Sequence, residues 1–196
     1  MKAVIRSMGG YVPSKRMANE EFSEFIDTSD EWIYSHTGIR FRHIADENQA
    51  TSDLAVEASK IALERAKVPA EEIDMILIAT ATSDFSGFPA TACIVQDALG
   101  ARKAASMDIT AGCTGFIYGL ETARGYILSG FARNVLLCGA EVFSRIVDWE
   151  DRNTCILFGD GAGAAVICAD SDNLDRGILY SYRANRRRQP LSDGPP

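Results

Sequence analysis

Stretches of continuous apolar residues alternate along the chain with stretches whose apolar residues recur at helical spacing. Ile73–Thr80 and Asn134–Phe143 are almost entirely apolar and are bounded by polar residues. Such runs are typical of strands covered on both faces, which occur mainly in parallel sheets. Helical spacing is found over Thr51–Ala62 and Thr114–Ser129. The alternation predicts an α/β fold in which a mainly parallel sheet is covered by helices.

Capping residues and a change of period set several element boundaries. Apolar and polar residues alternate over Lys2–Met8, which predicts a first strand. Ser29 is suited to cap a helix that Gly38 would end. Thr51 or Ser52 is expected to cap the next helix.

Cys113 lies between a predicted buried strand, Ser106–Thr110, and the predicted helix Thr114–Ser129. Unpaired amides and the positive end of the helix dipole stabilise a thiolate at such a junction. Three glycines leave room for substrate or backbone to approach the sulfur: Gly112, Gly115 and Gly119. The segment therefore predicts a nucleophilic cysteine.

Composition narrows the class of protein. The 196 residues are 46% hydrophobic, which is enough for one substantial core, and the net charge of −7 argues against nucleic acid and anionic membranes as partners. Five cysteines without paired spacing indicate a reducing compartment, and Cys93, Cys138 and Cys168 are expected to be small buried apolar residues. The first residues lack a signal-peptide core, and no apolar stretch is long enough to cross a bilayer. We therefore expect a cytoplasmic protein without a metal site.

The glycine-rich segment Phe158–Ile167 invites comparison with a dinucleotide-binding loop. Such a loop must lead into a helix whose N-terminus meets the pyrophosphate. Here the apolar run Ala165–Ala169 predicts a strand instead. A structural role in a tight turn and in close backbone packing is therefore favoured.

The runs DITAGCTGFIYGLETA and CILFGDGAGAAVI resemble the N-terminal half of a β-ketoacyl-acyl carrier protein synthase III, a thiolase-like condensing enzyme. The likeness covers about residues 1–180, and its motifs agree in order and spacing. The resemblance implies a fold of two similar halves stacked in five layers. Residues 1–183 would form the first half, residues 184–196 would be a divergent, disordered tail, and the second catalytic half would be absent.

The resemblance also implies a coenzyme A site. Thr28 and Trp32 match the positions that hold the adenine end, and Arg152 matches an arginine near the nucleotide. An exposed indole is a stacking platform for a base. His36 stands where the family commonly has an arginine, and an imidazole can stack but lacks the forked donors of a guanidinium.

On the acyl side, Phe88 matches an aromatic residue that crosses the dimer interface and shapes the partner's acyl pocket. Val142 matches a position that contributes to the same side of the site. The resemblance therefore implies a homodimer.

The implied reaction starts fatty-acid synthesis. Cys113 attacks an acyl-CoA, with acetyl-CoA the expected donor, and holds the acyl group as a thioester. Malonyl-acyl carrier protein then loses carbon dioxide and attacks that thioester in a Claisen condensation. The family performs this step with a histidine and an asparagine of the second half. No cofactor is implied, because acyl-CoA is a substrate.

Three other hypotheses remain open from sequence. A related condensing enzyme of polyketide or alkylquinolone synthesis would share these motifs. A noncatalytic half-subunit or dimerisation module would pair with a chain that carries the histidine and asparagine. A cysteine hydrolase would need its own base near Cys113, and the two histidines, His36 and His43, both lie in the predicted nucleotide segment.

Overall fold

The structure is a computed structural model that describes residues 2–170 together with residues 177 and 178. Its strands are β1 (Lys2–Tyr11), β2 (Lys15–Ala18), β3 (Phe41–Ile44), β4 (Met75–Ala79), β5 (Ala105–Ile109), β6 (Asn134–Val142) and β7 (Asp160–Asp170). Its α-helices are α1 (Asn19–Phe22), α2 (Asp30–Thr37), α3 (Thr51–Ala66), α4 (Thr91–Leu99) and α5 (Gly115–Leu128). The tail predicted over residues 184–196 lies outside the described residues.

Among the described residues, the main sheet has five strands in the order β1-β7-β6-β4-β5. β4 pairs in parallel with both β5 and β6, whereas β7 is antiparallel to its neighbours β6 and β1. Four strands therefore run in one direction and only β7 runs in the other. The prediction of a mainly parallel sheet is confirmed.

Helices cover both faces of this sheet. Alternate residues of β4 show the division, since Ile76 and Ile78 face the core under α3 and α4, and Leu77 faces the core under α5. All three are fully buried. The two-sided burial explains why the sequence of β4 is continuously apolar.

The strand before Cys113 differs from its prediction. The strand predicted over Ser106–Thr110 is present as β5, but it forms the edge of the sheet and its residues are exposed or half-buried, so the expected burial is wrong. Its carboxylate Asp108 accepts bonds from the amides of Thr91 and Ala92, each at 2.8 Å. The edge strand therefore caps the start of α4, which has no side-chain cap of its own.

Helix caps match the sequence at α2 and differ at α3. The Ser29 hydroxyl accepts a bond from Trp32 N at 3.1 Å, and Gly38 ends the helix with φ of 72°. The N-cap of α3 is Ala50, not Thr51 or Ser52. The Asp53 carboxylate accepts a bond from the Ala50 amide at 2.7 Å and stabilises this start.

A third, smaller core lies beside the sheet. Its buried members are Phe22, Ile33, Cys155 and Ile156, with Trp32 and Trp149 packed against them. It joins α1 and α2 to the segment of residues 147–158, next to the two-stranded ribbon of β2 and β3. We call this group the satellite core.

From Asp160 onward the glycine-rich segment lies in β7, so the strand that the apolar run predicted is confirmed, whereas the tight turn expected within residues 158–167 is wrong. Just before this strand, a Cβ on Gly159 would lie 3.0 Å from Arg42 Cβ and 3.1 Å from His43 O. The absence of a side chain therefore allows β3 to pass close to this segment.

Candidate active site

Cys113 lies in a single 3₁₀ turn, Gly112–Thr114, between β5 and α5. Gly112 adopts a φ of 52°, which favours glycine. α5 begins at Gly115, two residues after Cys113, and its N-cap Thr114 forms no side-chain cap. The positive end of the helix therefore lies next to Cys113 without such a partner. Cys113 is exposed at this strand-to-helix junction, so its thiol is accessible to a reactant.

A pocket of about 250 Å³ opens beside Cys113. It is lined by the ends of β4 and β6, by the turn and by three aromatic rings: Ala79, Gly112, Cys113, Phe116, Gly139, Ala140, Glu141, Phe143 and Phe158. Phe143 and Phe158 stack with ring centroids 4.8 Å apart. The pocket is mostly apolar and suits a short hydrocarbon group attached to the thiol.

Close packing of α5 against the sheet fixes the position of Cys113. A Cβ on Gly115 would lie 3.1 Å from the Cβ of Ala79, which is tighter than ordinary van der Waals contact. A Cβ on Gly119 would collide with the methyl groups of Leu137. Both glycines therefore let the helix approach β4 and β6 closely.

The carboxylate of Glu141 organises the rim of the pocket. Its Oε1 accepts a bond from Ala81 N at 2.8 Å, and its Oε2 accepts bonds from Thr82 N at 3.0 Å and from Thr82 Oγ1 at 2.5 Å. Thr80 Oγ1 also donates to Oε2 at 3.3 Å. Glu141 thus ties the end of β6 to the chain that leaves β4.

The remaining cysteines differ in environment. Burial raises the pKa of the Cys138 thiol from its ordinary value of 9.0 to about 12. Burial also raises the pKa of Cys155 and Cys168. Cys93 is exposed, so the expectation that it is a buried apolar residue is wrong. Its Sγ lies 3.4 Å from Ser106 Oγ at the open edge of the sheet.

The residues predicted for the nucleotide meet at one place. The imidazole of His36 stacks on the Trp32 ring with centroids 4.3 Å apart, and the guanidinium carbon of Arg152 lies 4.4 Å from that ring's centroid. Arg152 Nη1 donates to Asp27 O at 2.9 Å, and His36 Nδ1 lies 2.8 Å from Trp32 O. Thr28, in the same segment, has a buried hydroxyl oxygen without a hydrogen-bond partner in the described structure.

The residues predicted for the acyl side lie elsewhere. Phe88 is 92% exposed, on the loop before α4. Val142 is buried and lines a second cavity of about 170 Å³ with Thr82 and Ile146. Neither residue lines the pocket beside Cys113 within this chain, and their roles stay predictions.

Two of the three aromatic walls of the pocket were missed by sequence reasoning. Phe116 was predicted only as part of the helical segment Thr114–Ser129, and Phe158 only as part of the glycine-rich segment. Phe143 follows Val142, in the stretch of residues 142–146 that the resemblance assigns to the acyl side of the site. Their convergence depends on β7 lying next to β6, which sequence periodicity does not reveal.

Within residues 2–170 and 177–178, no group of three or more metal-ligating side chains lies close enough to hold an ion. The same part of the chain contains no helix that is long and apolar enough to span a membrane.

A cysteine at a strand-to-helix turn, beside a pocket at the carboxyl ends of β4 and β6, is the arrangement that the resemblance to a thiolase-like condensing enzyme implies. The model of the 3-oxoacyl-[acyl-carrier-protein (ACP)] synthase III family matches residues 107–184. A β-ketoacyl-[acyl-carrier-protein] synthase III of Caldanaerobacter subterraneus subsp. tengcongensis is 55% identical over 180 residues, which are 92% of this chain and 54% of that protein. The resemblance found in the sequence motifs is therefore confirmed.

Solved structures agree on the fold. The crystal structure of 3-oxoacyl-[acyl-carrier-protein] synthase III from Aquifex aeolicus VF5 matches with a TM-score of 0.84 and 47% identity, over 87% of this chain and 55% of that chain. The priming β-ketosynthase from the R1128 polyketide pathway matches with a TM-score of 0.83 and 36% identity, over 86% of this chain and 50% of that chain. The chain spans about half the length of the curated relatives it matches.

Proposed function

We propose that this chain is the acyl-accepting half of a β-ketoacyl-acyl carrier protein synthase III, an acyltransferase that starts fatty-acid synthesis. The observation that carries the proposal is the exposed Cys113, held in a strand-to-helix turn beside an apolar pocket. Relatives that carry this name and are 50–55% identical over most of the chain support it. The polyketide enzyme that matches in fold is 36% identical, which is lower than these relatives, so the polyketide alternative is not favoured. No observation favours the noncatalytic module.

In the first step, the Cys113 thiolate attacks the carbonyl carbon of an acyl-CoA. A new carbon–sulfur bond forms, the bond to the coenzyme A sulfur breaks, and coenzyme A leaves as a thiolate that takes up a proton. Backbone amides around the turn stabilise the tetrahedral oxyanion. The pocket of about 250 Å³ then holds the acyl group, and acetyl is the donor that the resemblance implies.

The nucleotide of the donor would bind at Trp32. The indole offers a stacking face for adenine, with Arg152 and His36 as the flanking groups. The buried Thr28 hydroxyl has a free hydrogen-bonding capacity that a base can satisfy. A stack of this kind contributes about 1–3 kcal/mol per base.

In the second step, malonyl-acyl carrier protein would lose carbon dioxide, and the resulting carbanion would attack the acyl-Cys113 thioester. The histidine and asparagine that the family uses would come from a second half beyond the domain of residues 1–183. The working enzyme would be a cytoplasmic homodimer that needs no cofactor. In that dimer Phe88, which is 92% exposed in the single chain, would reach the partner's acyl pocket. Val142, which is buried, would contribute to the acyl side of the site.

Intact mass spectrometry tests the first step. The purified 196-residue chain is incubated with acetyl-CoA, beside the variants Cys113→Ala and Cys93→Ala. We expect one acetyl adduct on the parent and on Cys93→Ala, because Cys93 is exposed but lies outside the pocket, and none on Cys113→Ala. A folded parent that acquires no adduct, or an adduct that survives in Cys113→Ala, would contradict the proposal.

A further inference from the structure

Arg42 is a buried arginine without a carboxylate partner among the described residues. Only 4% of its surface is exposed, and neither of the ion pairs found involves it. Its guanidinium instead donates to neutral oxygens, from Nε and Nη2 to Ile156 O and from Nη1 to Asn19 Oδ1 at 2.6 Å. Burying a charged side chain without a counter-ion has a high desolvation cost. We therefore looked for a function of the buried Arg42 guanidinium.

The partners of Arg42 lie on the two sides of the predicted nucleotide site. Ile156 belongs to the segment of residues 147–158, which carries Arg152. Asn19 is fully buried and donates from Nδ2 to Asp30 Oδ1 at 2.8 Å, and Asp30 is the first residue of α2, the helix that carries Trp32. One guanidinium therefore connects the segment of Arg152 to the helix of Trp32.

The surroundings fit a guanidinium specifically. The plane of Arg42 lies over the Phe22 ring, with 4.4 Å from the guanidinium carbon to the ring centroid. Gly159 leaves the space that the Arg42 stem occupies. Burial lowers the pKa of the group. A rigid fork can donate in two directions at once, whereas a lysine ammonium lacks this planar geometry.

We propose that Arg42 is a positioning residue for the coenzyme A site, which holds the Arg152 segment against α2 so that Arg152 lies over Trp32. The identification of coenzyme A as the ligand rests on the proposed function. The claim that Arg42 positions Arg152 over Trp32 does not depend on any ligand.

Tryptophan fluorescence tests whether Arg42 positions Arg152 over Trp32. In a Trp149→Phe background, Trp32 is the single emitter, because the chain has two tryptophans. Arg42→Met should shift the emission to longer wavelength and increase quenching by acrylamide, since Arg152 no longer covers the indole. The matched control is Arg16→Met, which removes an exposed arginine stacked 3.5 Å from the Phe41 ring in the neighbouring ribbon. It should change neither property.

Two acyl donors test the consequence for nucleotide binding. Acetyl-CoA carries the nucleotide and acetyl-pantetheine does not, so the ratio of their Cys113 acylation rates reports nucleotide recognition. Arg42→Met should lower the preference for acetyl-CoA about tenfold, which equals the loss of one base stack. Its rate with acetyl-pantetheine should remain that of the parent, whereas a general loss of structure would lower both rates.

A second variant keeps the test decisive if Arg42→Met does not fold. Arg42→Lys retains the charge and the stem but not the fork, and should show intermediate values in both readouts. Emission and quenching equal to those of the parent in either Arg42 variant would overturn the proposal, as would equal losses with both donors. If the folded parent reacts with neither donor, the proposed function fails and the fluorescence result alone decides the role of Arg42.

Discussion

Phe143 and Phe158 stack at 4.8 Å between centroids and together form one wall of the pocket beside Cys113. Removing one ring should enlarge this pocket of about 250 Å³ on the side that would receive the acyl group. We therefore expect Phe158→Ala to accept hexanoyl-CoA better, relative to acetyl-CoA, than the parent does. The measurement is the fraction of Cys113 adduct with each donor by intact mass.

The control for this prediction is Phe131→Ala. Phe131 is 72% exposed after α5 and packs on Tyr126, away from the pocket. It should leave the donor preference unchanged. An unchanged preference in Phe158→Ala as well would show that the wall does not limit acyl length.

Glu141→Gln should destabilise the rim of the pocket. In the glutamine side chain an NH₂ group replaces one carboxylate oxygen and faces an N–H or O–H group of Ala81 or Thr82. That N–H or O–H donor then has no acceptor. We expect a loss of about 1–3 kcal/mol in the free energy of unfolding, measured by urea denaturation. Glu57→Gln, which removes an exposed ion pair with Lys60, should cost less than about 1 kcal/mol. Equal losses in the two variants would argue against a special role for Glu141.

Two glycines of α5 give a matched test of helix packing. A methyl group at Gly119 collides with Leu137, whereas one at Gly125 meets open space. Gly119→Ala should therefore destabilise the fold by about 1–3 kcal/mol. Gly125→Ala should stabilise it by about 0.5–1 kcal/mol, because alanine favours the helix. Thermal unfolding of both variants checks the opposite signs.

Cys138 should contribute a pH-dependent stability. Its folded pKa of about 12 exceeds its ordinary value of 9.0, so between these values the unfolded chain loses a proton that the folded chain keeps. The stabilisation by Cys138 is fully present below pH 9. It is lost as pH rises toward 12, where the free energy of unfolding falls by up to about 1.4 kcal/mol per pH unit. Cys138→Ala should lose stability less steeply than the parent between pH 9 and 10.5, as urea denaturation under reducing conditions would show. Parallel pH profiles would contradict this assignment.

Local chemistry made parts of the fold predictable. Ser29 and Gly38 bound α2 because each satisfies a requirement of the helix end that the sequence itself displays. The continuous apolar run of β4 likewise indicated burial on both faces. Strand order has no such local signal, so the edge position of β5 and its exposure were not predictable. At α3, Asp53 stabilises the helix start from within the first turn, which a search for a capping hydroxyl overlooks.

The residues of the candidate site also differ in whether the sequence predicts them. Cys113 was predictable because the strand, the turn and the helix that hold it are adjacent in sequence. The contact of Arg152 with Trp32 joins residues far apart in sequence, and only the resemblance suggested it. Arg42 carried no signal at all, because its role depends on burial in the satellite core and on partners from two other segments.

The contact between Arg152 and Trp32 is formed by the fold itself. The guanidinium carbon lies 4.4 Å from the indole centroid, and the contacts of Arg42 hold the segment that carries Arg152. The entropy cost of ordering these two side chains is therefore met by folding and not by binding. A preorganised cation beside an aromatic face would favour recognition of one flat ring over adaptation to groups of other shapes.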